Sequence, residues 1–149
     1  MKLRLICIAL MLSYGCSTAP TGNVETNPEV LILGTWNVSN ASVDGQTYPI
    51  TNPGFGQVQA IFEADNFTYI YPHVEANGLP TGRTDTLNAF WTFNASYDTL
   101  RFTDKLSSEL VLIWHVKELK VGLLSTDYVT QRPDNAEVTS FYDIDYKLK

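Results

Sequence analysis

From residue 31 onward, apolar and polar positions alternate with the period of two that a half-buried strand requires. No stretch repeats every three to four residues as an amphipathic helix would. Eight segments carry the alternation. Residues 32–43 begin it, with Trp36 and Val38 on a face that Asn40 and Ser42 continue. Residues 57–63 set Val58, Ala60 and Phe62 against Gln57, Gln59 and Glu63. Residues 67–72 gather Phe67, Tyr69 and Tyr71, and residues 87–94 gather Ala89, Trp91 and Phe93. Leu100 and Phe102 share a face in 99–103. Residues 109–116 are apolar on both faces from Leu110 to Trp114, so alternation does not say which side turns inward. Residues 120–129 follow, and 137–148 oppose Tyr142, Ile144, Tyr146 and Leu148 to Asp143, Asp145, Lys147 and Lys149.

Each connection is too short for a crossover helix, so each strand is expected to pair antiparallel with the next. Eight such strands close most naturally into an up-and-down β-barrel, with a two-sheet sandwich as the alternative. Connection lengths orient the barrel. Residues 44–56 and 73–86 are long and rich in Gly, Pro and Asn, whereas the hairpins after the second, fourth and sixth strands are tight. In a meander, alternate connections lie at one end, which predicts a mouth of long loops and a closed base. An even strand count returns both termini to the base, with Trp36 beside Lys147 and Lys149.

The first sixteen residues stand apart. Lys2 and Arg4 precede the apolar run 5–12, which is too short to span a bilayer, and a small residue, Gly15, precedes Cys16. This leader resembles the signal peptide of a bacterial lipoprotein, with Ser13 and Tyr14 departing from the usual pattern. The resemblance implies cleavage before Cys16 and lipid on its sulfur and amine; a plain secretory signal is the alternative. Of the two cysteines, Cys7 leaves with the leader, so no disulfide can form within the mature chain. Residues 17–30, broken by Pro20, Gly22 and Pro28, read as a flexible tether between lipid and domain, which leaves 31–149 as the barrel. Without the leader, eight Lys and Arg face sixteen Asp and Glu, a net charge of about −8, with no basic stripe. That balance argues against nucleic acid as a partner.

Gly34-Thr35-Trp36 at the head of the first strand, the long first loop and the eight-strand meander together resemble the lipocalins. The chain is most similar to the lipocalin-like domains of Bacteroidetes lipoproteins, and His115-Val116-Lys117-Glu118-Leu119 resembles their penultimate hairpin. The resemblance spans most of residues 31–148. It implies that Gly34 and Trp36 close the barrel base, with a basic residue, Lys147 or Lys149, over the indole.

Catalytic chemistry has little to draw on. The two histidines, His73 and His115, are far apart, and no cysteine remains beyond Cys16, so a His/Cys zinc site is not expected. Asp143 and Asp145 alternate with the apolar face of the last strand and read as solvated. No cofactor and no enzymatic activity are expected. The candidate site is instead the upper barrel, lined by Asn40, Ser42, Val58, Ala60, Tyr69, Tyr71, Ala89 and Trp91, with Phe55 as a contact in the mouth loop. One reading is a membrane-anchored binding protein for a small hydrophobic or amphipathic ligand. The other is a non-catalytic envelope lipoprotein whose filled barrel is a protein-interaction module. Both place the chain in the bacterial envelope, at the outer membrane facing the periplasm or at the surface. Small residues around Tyr71 with open space would favour the first, and large loop side chains packed into the mouth the second.

Overall fold

The structure, a computed structural model, describes residues 26–50, 55–74, 80–131 and 139–149. Its elements are α1 (Pro28–Leu31), β1 (Gly34–Val43), β2 (Gln46–Tyr48), β3 (Gln59–Phe62), β4 (Asn66–Val74), β5 (Pro80–Phe93), β6 (Thr99–Asp104), β7 (Leu110–Lys120), β8 (Leu123–Gln131) and β9 (Thr139–Leu148). All pairings are antiparallel between neighbours in the chain, save that β1 also pairs with β3 and with β9. The β1–β9 ladder closes the sheet into an eight-stranded barrel. The ninth strand, β2, is a short return on β1: it takes the mouth end of the same edge (Val43↔Gln46) whose base end β3 occupies (Gly34↔Phe62). The Asp44-Gly45 turn makes this possible, both residues adopting positive φ.

The orientation read from loop lengths holds. Tight connections at 63–65, 94–98 and 121–122 lie at the end where β1 begins and β9 finishes, with Trp36 opposite Leu148 and the Lys149 amide on the Thr35 carbonyl at 2.8 Å. The link between β4 and β5 is shorter than expected. Both strands run on toward the mouth as a ribbon, Tyr71 facing Asp85, so β5 reaches fourteen residues. His73 pairs with Asp85 at 2.6 Å on its exposed surface.

A reading made only of strands misses one helical turn. Asn27 caps α1 by accepting from the Glu29 amide at 3.0 Å, and Pro28 supplies a pre-set first-turn φ. The turn occupies the end of the stretch expected to be tether. It delivers Ile32, fully buried, beneath the barrel, where the Ile32 carbonyl accepts from Trp36 Nε1 at 2.6 Å. The Trp36 ring is fully buried, whereas Lys147 and Lys149 are exposed. A cation does sit over a ring elsewhere, Lys105 over Phe90 at 5.7 Å.

Gly34, opposite Phe62 at the base, resists a side chain for two separable reasons. Its φ is +131°, and a Cβ there would lie 2.7 Å from Leu148 Cδ1. Leu148 is partly exposed and can swing aside, so the backbone conformation carries most of the cost. Gly34→Ala should therefore lose about 1–3 kcal/mol in urea unfolding. Adding Leu148→Ala should return only a minor part. Full recovery in the double variant would show that the clash, and not the backbone, sets the requirement.

Candidate functional site

The barrel axis is filled by aromatic rings converging on Trp114, the β7 residue whose direction alternation left open. Its fully buried indole lies 5.0 Å from the Phe102 ring, 5.3 Å from Tyr69, 5.4 Å from Phe67, 5.6 Å from Tyr146, 5.8 Å from Tyr128 and 6.3 Å from Phe62, centroid to centroid. Several contacts are edge-to-face, the arrangement that the ring quadrupole favours. The inward set expected from alternation (Phe62, Phe67, Tyr69, Trp91, Phe102 and Tyr146) is buried here, with Tyr71, Phe93 and Tyr142 half-buried against it.

Tyrosine hydroxyls meet above Trp114. Tyr69 and Tyr128 share a hydrogen bond at 3.3 Å, and the Tyr128 and Tyr142 rings stack at 4.9 Å. Burial pushes the phenols of Tyr69, Tyr128 and Tyr146 well above the usual tyrosine range, because the phenolate could not be solvated there. Tyr71 moves the same way, by burial and then by the Asp85 carboxylate nearby. Trp114 Nε1 and Thr126 Oγ1 are buried without a hydrogen-bond partner among the described residues, and the buried Tyr146 hydroxyl lies close to that of Tyr69.

The residues expected to line a pocket part company in this arrangement. Val58, Ala60 and Ala89 are buried wall positions of the core, Ala60 wedged between Trp36 and Tyr69 in register. Tyr69 belongs to the hydroxyl cluster, and Tyr71 is half-buried nearer the mouth. Trp91 is not a lining residue: its Nε1 donates to the Glu63 carbonyl at 2.8 Å, in the hairpin at the base. Asn40 and Ser42 are also corrected. A β-bulge at Ser39 shifts the β1–β9 register between Val38 and Asn40, which turns Ala41 inward and Asn40 outward. Asn40 is exposed and donates to Asp145 Oδ2 at 3.3 Å. Phe55 and Ile50 pack against the core from the first loop, Phe55 with its ring 5.7 Å from Tyr48. Cys16 lies outside the described residues. Asp143 and Asp145 sit on the outer wall as expected, paired with Lys117 at 2.7 Å and with Ser125 Oγ at 2.6 Å.

An open space lies in the wall. The β7–β8 ladder runs from Lys120↔Leu123 to His115↔Asp127 and stops there, although β7 extends back to Leu110 and β8 on to Gln131. Beyond that fork the two strands part around a cleft of about 520 Å³, lined on β7 by Leu110 to Ile113 and His115, on β8 by Asp127 to Thr130, and by Phe141 of β9. Leu112 and Tyr128 belong to the inward face; Leu110, Val111, Ile113, Val129 and Phe141 are 37–57% exposed. The cleft therefore joins an outer apolar surface to the half-buried and buried rings inside. Sequence reasoning missed these residues as a site. Their signal was the failure of alternation over Leu110-Val111-Leu112-Ile113-Trp114, which marks a strand with apolar side chains on its outer face as well.

No protein-family model matches the chain, and neither does any curated protein. Among solved structures, the chain is similar to a lipocalin-like protein from Bacteroides uniformis, at 15% identity and a TM-score of 0.49, over 80% of this chain and 99% of that one. It is also similar to an uncharacterized protein from Bacteroides eggerthii, at 13% identity and a TM-score of 0.45, over 77% of this chain and 98% of that one. The fold itself is fixed by the closed meander described above. It is a lipocalin-like barrel.

Proposed function

We propose that this protein is a non-catalytic, lipid-anchored binding protein of the bacterial envelope, and that its hydrophobic or amphipathic ligand occupies the wall cleft. One observation carries this reading: a barrel packed along its axis around Trp114 has an apolar open volume between β7 and β8. About 520 Å³ falls within the range of ligand sites, and a mostly apolar lining with Tyr128, Thr130, His115 and Asp127 at its polar points fits an amphipathic occupant. The leader and Cys16 support the anchor. A tether arriving at the barrel base would leave the cleft, which opens toward the mouth, facing away from the bilayer.

A second reading takes the mouth itself as a surface for an envelope protein partner. It is favoured by Ile50 and Phe55, loop side chains packed onto the core where an axial ligand would otherwise enter.

The test uses the soluble chain from residue 17 onward, which keeps every described residue, and the fluorescent apolar probe 1-anilinonaphthalene-8-sulfonate. Probe binding should fall at least tenfold in Ile113→Glu and Val129→Glu, and stay within twofold of the parent in Phe55→Ser. Loss in the Phe55 variant with the cleft variants unchanged would move the site to the mouth. No probe bound by the parent would remove the cleft reading.

A further inference from the structure

The geometry points to an extended polypeptide as the occupant of the cleft, adding as a strand between β7 and β8. This inference rests on the cleft being the binding site and names the class of ligand that fits it.

The backbone carries it. On its far side β7 is paired with β6, Ile113 opposite Arg101 and Leu112 opposite Phe102. On its far side β8 is paired with β9, Tyr128 opposite Tyr142, Val129 opposite Phe141 and Thr130 opposite Ser140. Past the His115↔Asp127 fork, residues 110–114 and 128–131 each turn toward the same cleft a strand edge that pairs with no described residue. Such edges present alternating N–H and C=O groups that need partners. A lipid tail or a fused-ring apolar molecule offers none. An extended chain offers donors and acceptors along both of its own edges, so one inserted strand can pair antiparallel with one edge and parallel with the other.

Edge length and chemistry then describe the partner. The shorter edge is residues 128–131, so about four residues of an inserted strand can pair on both sides. Side chains on one face of that strand would lie beside Leu112 and Tyr128, and those on the other beside Val111, Ile113, Val129 and Phe141. Among the described residues lining the cleft, the charged or titratable groups besides Tyr128 are His115 and Asp127, both at the fork. The central residues of the partner are therefore uncharged on both faces and suited to a strand, with β-branched or aromatic side chains. A single free edge would invite any strand; two edges facing one cleft restrict the occupant to a single extended segment.

The probe is an acetylated, amidated hexapeptide of alternating threonine and valine, with a control in which every second amide is N-methylated. Hydrogen exchange of the soluble chain from residue 17 onward should slow at 110–114 and 128–131 when the peptide binds. The methylated control should bind at least tenfold more weakly, because one edge loses its donors. Equal binding of both peptides, or peptide binding without protection at those residues, overturns strand addition. Binding of the fluorescent apolar probe in the cleft without peptide binding leaves the proposed function standing and removes this inference; failure of both removes both. Protection of the same residues without peptide, in a chain that light scattering shows to be dimeric, also overturns it, since a second copy is then the occupant.

Discussion

Replacing Trp114 by alanine is expected to remove about 3–5 kcal/mol of stability. A domain of this size holds roughly 5–15 kcal/mol in total, so Trp114→Ala should be largely unfolded in modest urea, with its midpoint far below that of the parent. The size of the effect follows from position. Six aromatic rings lean on the indole, and none of them can move in to fill its place without abandoning its own strand. Trp114→Phe makes the diagnostic comparison. The indole N–H has no partner among the described residues, so ring volume is what is lost, at a cost of about 1–2 kcal/mol. An alanine variant that loses less than about 1 kcal/mol would mean that the barrel interior collapses freely and is not held open by this ring.

Alkali should unfold the domain through the same interior. For Tyr69, Tyr128 and Tyr146, the folded-state pKa lies above the unfolded value near 10, so the folded chain keeps three protons that the unfolded chain gives up. Below pH 10 both states hold these protons and stability is unaffected. Above pH 10 the unfolded state binds fewer, and stability falls as pH rises, by about 1.4 kcal/mol per pH unit for each phenol and about 4 kcal/mol for the three. A cooperative loss of native tryptophan fluorescence is expected only above about pH 11, together with the phenolate absorbance of the buried rings. Tyr128→Phe should reduce the slope by the share of one proton. Gradual phenolate formation with fluorescence unchanged through this window would show that the tyrosines reach water in the folded state.

The architecture was legible because it depends on a two-residue period and on loop lengths. Phe62 to Glu63 and Asp65 to Phe67 already mark a hairpin, and Gly34 with Trp36 marks the base. The candidate site was less legible, for three physical reasons. Parity is read by counting, and one unpaired residue, Ser39, undoes the count for Asn40 and Ser42. Height along the barrel depends on which partner an indole finds, and Trp91 finds the Glu63 carbonyl at the base. The cleft reflects where a ladder stops, and strand pairing beyond His115 is a property of two strands that neither segment states alone. What the chain did disclose was the doubly apolar run through Leu110 and Trp114, one face of which packs the core while the other opens to solvent.

The way the wall is sealed also has a bearing on how the chain reaches its native state. Every ladder except two joins consecutive strands; β1 with β3 skips only the short β2, whereas β1 with β9 brings Trp36 to Leu148 across nearly the whole domain. Local hairpins can form early at little entropic cost, but the closing pair must gather a loop of more than a hundred residues before it gains anything. During synthesis, the first strand therefore waits with one edge bare until the last strand has left the ribosome. A polypeptide that cannot seal its wall before β9 is made stays open, and so threadable, until then.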